Sequence, residues 1–461
     1  MAYFGTNGAR GRFDELPPEL VLRLAQATGA YLTQGMTKPG AGKPKTVVLA
    51  RDCRLTGEIY RAAVTAGLSA AGCDVIDIGI ASSPTAEYMV KKLGASGCII
   101  ISASHNPPEW NGIKAVDCNG IAISHKRGLE IEKLMGRQTQ AKWNMTGKVV
   151  KYRAATADHI EAIKQLVDSA KIRKRRPKLV LDCGNGTAAL IAPKLLTDLG
   201  CEVLSLNSHP DGRFPGRPSE PAEANVKELV GTVKSSGADA GIAWDGDGDR
   251  VIFVDGRGGY VIGDRVYALS ILWKAAACGG KLKGDVVTTV ATSRAVEDVA
   301  KKCGATVRYT AIGAPALCEE MAEKRAGKPA AIGGEEVGGV IWPELSMAKD
   351  GFLTAAKLAG ALCEKTLVAW LGEVPSYRNV KLKIPADGKR KMELVARVLA
   401  YAKKNKLAYI DVDGVRVDLE DSWVIVRASG TENCVRVFAE AGSETEAQKL
   451  AKEYERIAKG K

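Results

Sequence analysis

The chain has 461 residues, 46% of them hydrophobic and 26% charged, with a formal net charge of +13. That length predicts three or four domains rather than one, and the composition is that of a globular chain, not a disordered or fibrous one. No apolar run reaches the roughly 18 residues of a membrane span. The first residues show no basic region followed by an apolar stretch, so no signal peptide is expected. Eleven scattered cysteines with no Cys-x-x-Cys pair exclude a disulfide framework and read as reduced thiols in a cytoplasmic protein.

Three segments repeat one order of elements. Each opens on a β-rich run: Thr46 to Ala50, Lys178 to Asp182, and Asp285 to Val290. A loop and a helical stretch follow, then a second strand: Gly72 to Gly79, Gly200 to Asn207, and Gly304 to Thr310. After another helical stretch a third strand delivers a distinctive loop: Ser102 to Pro108, Asp245 to Arg250, and Gly333 to Gly339. Strands alternating with helices predict parallel α/β sheets. From about Glu373 the pattern changes. Arg378 to Ile384, Trp423 to Val426 and Val435 to Ala439 read as strands, Ala408 to Val417 as a hairpin turning at Asp413-Gly414, and Met392 to Lys404 and Thr445 to Ala458 as helices. The predicted fold class is α/β: three similar α/β domains with mostly parallel sheets plus a C-terminal α+β domain, around a central cleft. The boundaries are 1–150, 151–254, 255–372 and 373–461.

The basic balance suits nucleic acid or a phosphorylated metabolite. Its densest cluster, Lys171 to Lys178, has no interleaved aromatics, and aromatics are only 5% of the chain. It therefore reads as a solvated connection between domains, and no nucleic-acid partner is expected.

Four loops carry chemistry. Cys98 to Ile101 is a continuous apolar run that reads as a strand buried on both faces, and it ends in Ser102-Ala-Ser-His-Asn-Pro-Pro108. A hydroxyl at that end of a strand sits where open α/β sheets place their sites. Asp245-Gly-Asp-Gly-Asp-Arg250 sets three carboxylates at alternate positions. Such anions repel unless a cation collects them, and hard oxygen ligands suit Mg²⁺. An EF-hand does not fit, because no Glu closes a twelve-residue loop. Gly333-Gly-Glu-Glu-Val-Gly-Gly339 is glycine-rich, but its glutamates suit sugar hydroxyls better than phosphate. Arg427-Ala-Ser-Gly-Thr-Glu-Asn-Cys-Val-Arg436 offers hydroxyls, backbone N–H groups and two guanidinium groups to an anion. At the N-terminus, Phe4-Gly-Thr-Asn-Gly-Ala-Arg-Gly11 combines closely spaced glycines with Arg10, a ready phosphate ligand.

These loops, in this order and over the whole chain, resemble those of the α-D-phosphohexomutase family, with archaeal phosphoglucomutase/phosphomannomutase sequences most similar and the phosphoglucosamine mutase branch close. The departures are Asn7 and Ala9 in the N-terminal motif, Ser102 for the usual Thr, Val337 for the usual Ser and Gly339 for the usual His. The resemblance implies that Ser104 carries a phosphoryl group, with His105, Lys114 and Arg10 as its catalytic neighbours. Asp245, Asp247 and Asp249, together with Ser104, would bind Mg²⁺. Substrate would be held by Arg250, by Gly334, Glu335 and Val337 of the sugar loop, and by Arg427, Ser429, Gly430, Thr431 and Arg436 of the phosphate clamp. Arg51 and Arg54 of Arg51-Asp-Cys-Arg54 would support the site, and Asp350-Gly351 matches a family pattern without an assigned role.

The implied activity exchanges phosphate between C1 and C6 of a hexose, through a sugar 1,6-bisphosphate that also serves as activator. The partner is a phosphosugar, with no membrane, and the assembly is a monomer or homo-oligomer. Readings from other classes are a metal-dependent sugar phosphatase and a basic nucleic-acid-binding protein.

Overall fold

The computed structural model describes residues 3–5, 7–33, 45–137, 139–430 and 432–460. By packing, the chain divides into two units: Met1–Val266 with Val337–Leu371, and Tyr267–Glu336 with Gly372–Lys461.

The first unit contains two mixed sheets. In the first the order is Ala9–Arg12, Trp110–Asp117, Gly97–Ile101, Thr46–Arg51, Asp74–Ile80, Val149–Lys151. Its centre is parallel, with Arg51 beside Ile101 and Thr46 beside Asp74. Alternation along the central strands fills cores on both faces. Val47, Leu49, Ile99 and Ile101 enter one cluster, and Val48, Ala50, Cys98 and Ile100 enter the other. That is why these strands read as continuous apolar runs. The second sheet runs Tyr260–Val261, Val251–Asp255, Ala240–Trp244, Lys178–Asp182, Glu202–Leu206.

The topology differs from simple parallel winding at both chemical loops. Gly97–Ile101 returns antiparallel through Trp110–Asp117, with Ile101 opposite Ile113. Ala240–Trp244 likewise returns through Val251–Asp255, with Trp244 opposite Val251. The Ser102 and Asp245 loops are therefore hairpin connections, held at both ends by a ladder, rather than strand-to-helix loops.

The Lys171 cluster also differs from a plain connection. Ser169–Arg175 is a short helix, capped by Asp168 and ended by Arg176 at φ 53°. Its Ile172 is buried, while Lys171 and Arg175 pair at 2.8 Å with Glu364 and Asp239. One apolar anchor turns the cationic run into a solvated helix face.

In the second unit, Val307–Thr310, Asp285–Thr289 and Ala330–Gly334 are adjacent parallel strands. Its other sheet is antiparallel, in the order Arg378–Pro385, Cys434–Ala441, Trp423–Ala428, Val415–Asp418, Ala408–Ile410. The hairpin expected at Asp413-Gly414 is present, with Ile410 opposite Arg416. Helices Gly388–Lys404 and Glu444–Lys459 share that sheet's core. The latter starts at a Ser443/Glu446 capping box and buries Ala447, Leu450, Ala451, Tyr454 and Ala458, the stripe of an amphipathic helix. Among the described residues, no helix is long and apolar enough to cross a membrane, and all eleven cysteines are free thiols.

Candidate active site

Within the first unit the serine hairpin and the carboxylate hairpin meet. Ser104 is almost wholly buried and has φ 52°, a left-handed conformation uncommon outside glycine. The turn is held from several sides. Its N–H donates to Ser102 Oγ at 2.9 Å, and its carbonyl accepts from Arg54 Nη2 and Ser219 Oγ, each at 2.9 Å. The backbone being fixed, the hydroxyl is presented in one direction, and it donates to Asp245 Oδ2 at 2.6 Å.

Arg54 is the scaffold of this turn. Its side chain is fully buried, paired with Asp52 at 3.0 Å, and it also donates to the carbonyls of Asn106, Pro107 and Trp110. A planar fork of donors can serve several carbonyls of one loop at once. Arg51 does something else. It pairs with Glu58 at 3.2 Å and lines a separate cavity of about 290 Å³ with Arg61, Lys151 and Arg153.

The three aspartates lie with their ligand atoms within 4.8 Å of one another, all buried. Each has a different set of partners. Asp245 Oδ1 accepts from the N–H groups of Gly248 and Arg250 at 3.1 and 3.2 Å. Asp247 Oδ2 accepts from Lys114 Nζ, from Ser83 Oγ at 2.6 Å and from Ser102 Oγ at 3.3 Å. Asp249 Oδ2 pairs with Lys349 Nζ at 3.0 Å. Burial, followed by the charges of Asp247 and Asp249, pushes Asp245 well above the usual carboxylate range. Burial acts the same way on Asp247, but the charge and hydrogen bond of Lys114, with the hydrogen bond from Ser83, together hold that carboxyl well below the range. Asp249 is also lowered: burial raises it, and the positive charges of Lys349, Lys114 and Arg250 together outweigh that.

Two buried oxygens, Asp247 Oδ1 and Asp249 Oδ1, accept no hydrogen bond from the described residues. Buried carboxylate oxygens without donors are costly unless something else satisfies them. Hard oxygens clustered at this spacing fit a divalent cation, so the residues present suit such an ion.

Arg10 lies opposite Gly112 in the sheet, and its Nη1 donates to Asn106 Oδ1 at 3.2 Å. Burial lowers its pKa, with Asp247 pulling the other way. His105 sits 3.9 Å from Glu220, which Arg250 engages at 3.1 Å. Burial, then Arg250 and Arg10, push the imidazole down to about 3, so it is neutral at ordinary pH.

The remaining candidates belong to the second unit, apart from Val337, which opens the returning segment of the first. Gly334 ends a buried strand, and Glu335 follows it, also buried. Glu336, which sequence reasoning passed over, accepts from Thr289 Oγ1 at 3.1 Å. In the clamp loop, Arg427 pairs with Asp413 at 3.0 Å and Arg436 with Glu432 at 2.8 Å. Ser429 N donates to Cys434 O, and Ser429 Oγ accepts from Glu432 N. Gly430 is exposed, and Thr431 lies outside the described residues.

Lys383 and Lys391 add charge that the sequence did not single out. Lys383 reaches the Glu432 carboxylate at 2.7 Å, and Lys391 the carbonyl of Ser429 at 3.1 Å. In the first unit the missed residues are Ser83, Ser219, Glu220 and Lys349. Only Lys349 had a signal, its place just before the Asp350-Gly351 pattern.

Comparison with known proteins decides the family. Four models tile the chain: phosphoglucomutase/phosphomannomutase alpha/beta/alpha domain I over residues 1–142, domain II over 157–259, domain III over 263–377, and the C-terminal domain over 379–457. The chain belongs to the phosphoglucomutase/phosphomannomutase family. It is thereby a phosphohexomutase, an enzyme of the isomerase class.

Among relatives of this phosphohexomutase, the phosphoglucomutase/phosphomannomutase of Thermococcus kodakarensis is 41% identical, over 96% of this chain and 96% of its own length. A probable phosphoglucosamine mutase of Methanopyrus kandleri is 40% identical, over 98% of this chain and 96% of its own. A crystal structure of a phosphoglucomutase/phosphomannomutase family protein from Burkholderia thailandensis matches with a TM-score of 0.87 and 26% identity, covering all of this chain and 98% of that one. The four-sheet α/β architecture is that of the phosphohexomutases.

Proposed function

We propose that this enzyme interconverts hexose 1-phosphate and hexose 6-phosphate, with phosphoglucomutase/phosphomannomutase activity as its main reaction, in the cytoplasm. One observation carries the reading: a conformationally fixed serine hydroxyl, Ser104, hydrogen-bonded at 2.6 Å to a buried aspartate triad. The four modules are 1–150, 151–254, 255–372 and 373–461, bearing the serine, metal, sugar and clamp loops in turn.

Ser104 Oγ carries the phosphoryl group at rest. It passes the group to a sugar hydroxyl, giving a 1,6-bisphosphate, and then recovers the other phosphoryl. A covalent phosphoserine makes a nucleotide unnecessary in turnover. Asp245, Asp247 and Asp249, together with Ser104, would hold Mg²⁺, which when bound would supply charge stabilisation to the transferring group. Lys114 and Arg10 add fixed positive charge beside the serine, already desolvated and so effective where negative charge develops. Arg250 lies beside the same site and takes part in holding substrate. Glu335 accepts hydrogen bonds from sugar hydroxyls, and Arg427, Ser429, Gly430, Thr431 and Arg436 grip the phosphate that stays. His105, neutral, stands next to Ser104 in the chain as a further catalytic neighbour.

A second substrate reading, glucosamine phosphate, is favoured by the name of the 40% identical relative. Coupled turnover of glucose, mannose and glucosamine 1-phosphates with Mg²⁺ and bisphosphate activator tests both. Isomerisation lost in Ser104→Ala supports the mutase, and the ranking names the sugar. Phosphate release without isomerisation would instead indicate a phosphatase.

A further inference from the structure

We propose that Lys349 is a positioning residue for the metal loop, orienting Asp249 as Lys114 orients Asp247. The proposal rests on the reading that the triad binds a divalent cation.

The two lysines make matching contacts. Lys114 Nζ engages Asp247 at Oδ2 and Lys349 Nζ engages Asp249 at Oδ2, the latter at 3.0 Å. In both aspartates the other oxygen, Oδ1, is buried and accepts no hydrogen bond from the described residues. Arg250 Nε lies 3.9 Å from Asp249 Oδ1. Each lysine thus satisfies one oxygen and leaves the other available to a cation. Both are buried, Lys114 at 3% and Lys349 at 5% exposure. Burying two ammonium groups is expensive, and a mobile surface lysine would neutralise a carboxylate without that cost.

Lys349 is also held in place by its own segment. It bridges to Ile341, and Asp350 N donates to Val340 O at 2.8 Å. Asp350 Oδ1 caps the helix Gly351–Ala361 through the N–H groups of Phe352 and Leu353, each at 2.9 Å. Its Oδ2 lies 2.8 Å from Nε2 of the buried His159, whose Nδ1 meets Thr85 Oγ1 at 2.9 Å. Gly351 N donates to Gly248 O at 3.3 Å, inside the metal loop itself. The Phe352 ring packs where a side chain at Gly248 would sit, and stacks on Trp244 with centroids 5.9 Å apart. Lys349 is therefore registered against the loop it orients by the backbone on one side and a helix cap on the other.

This role and a plain counter-charge role predict opposite results. A lysine that merely neutralises Asp249 competes with a bound cation, so removing its charge tightens metal binding. A lysine that orients Asp249 supports binding, and second-sphere losses of this kind weaken metal affinity by roughly 10–100-fold.

The test is Mn²⁺ titration of full-length, dephosphorylated, chelator-treated protein, followed by electron paramagnetic resonance. Wild type is measured first, because absence of Mn²⁺ binding there defeats the metal reading itself. Given binding, Lys349→Met should weaken affinity by about 10-fold or more. Lys349→Gln, which keeps a donor but loses the charge, should stay within a few-fold of wild type or weaken. Unchanged or tighter binding by Lys349→Met overturns the proposal. If Lys349→Met does not fold, Lys349→Gln decides: tighter binding overturns, and equal or weaker binding supports.

Discussion

Ser104 and Asp245, 141 residues apart in the chain, are joined by a 2.6 Å hydrogen bond between their side chains. That bond links the turns of two hairpins from two different sheets. The serine hydroxyl therefore starts within reach of the carboxylates that would organise a cation beside its phosphoryl group.

Ser104→Ala should retain the fold and lose turnover by ~10³-fold or more, as removal of a covalent nucleophile does. Intact-mass measurement should show no phosphorylated species in that variant. Turnover near wild-type level would remove Ser104 from the mechanism.

Arg54→Lys should impair both stability and activity, despite conserving charge. Arg54 serves four backbone carbonyls of the serine turn and the buried Asp52 at once. Lysine has three donors on a point charge and cannot span that set. Leaving buried acceptors unserved costs about 1–3 kcal/mol for each group, so thermal melting should shift down by several degrees. An unshifted melt would mean that the turn holds itself.

The serine and aspartate loops were legible in the sequence because each sits at the end of an apolar strand, where local pattern is strong. Arg378 to Ala458 was legible for the same reason, its period-2 strands and capped helices being local signals. What was not legible depends on distance in space. Lys349 reaches Asp249 across 100 residues, and Ser83 reaches Asp247 across 164. A lone lysine and a lone serine carry no pattern of their own. Arg51 and Arg54 show the same limit: three residues apart, they have the same chemistry, yet only Arg54 enters the serine turn. The antiparallel returns after Ile101 and Trp244 were missed because a buried strand reads alike whichever way its neighbour runs.

Thiol labelling at pH 8 should mark Cys278 first, since it is the exposed cysteine among the eleven. Burial pushes Cys53 and Cys201 up to about 12 and Cys73 up to about 11. At pH 8 their thiolate fractions are then ~10⁻³ or below, against about a quarter for an ordinary thiol. These three stay unreactive as pH rises through 8–9 and become labile only on unfolding. Mass-spectrometric mapping of iodoacetamide adducts checks the order, and early labelling of Cys53 would contradict the packing around it.

Gly246→Ala should damage the site more than the fold. Gly246 lies between Asp245 and Asp247, and a Cβ there would come within 2.6 Å of Ser219 Oγ and 2.7 Å of the Ser104 carbonyl. The hydroxyl of Ser219 can rotate away, but the Ser104 carbonyl is backbone and already held by Arg54 and Ser219. Relief therefore requires the two hairpin turns to separate, which lengthens the bond from Ser104 to Asp245. Overpacking of this kind costs about 1–3 kcal/mol, a tolerable loss of stability for a large chain. Displacement of a reacting group by ~1 Å costs roughly 10²-fold in rate. The expected result is a folded protein with a modest fall in melting temperature and turnover reduced by about that factor. Full activity with an unchanged melt would show that the turns are not in the close contact described.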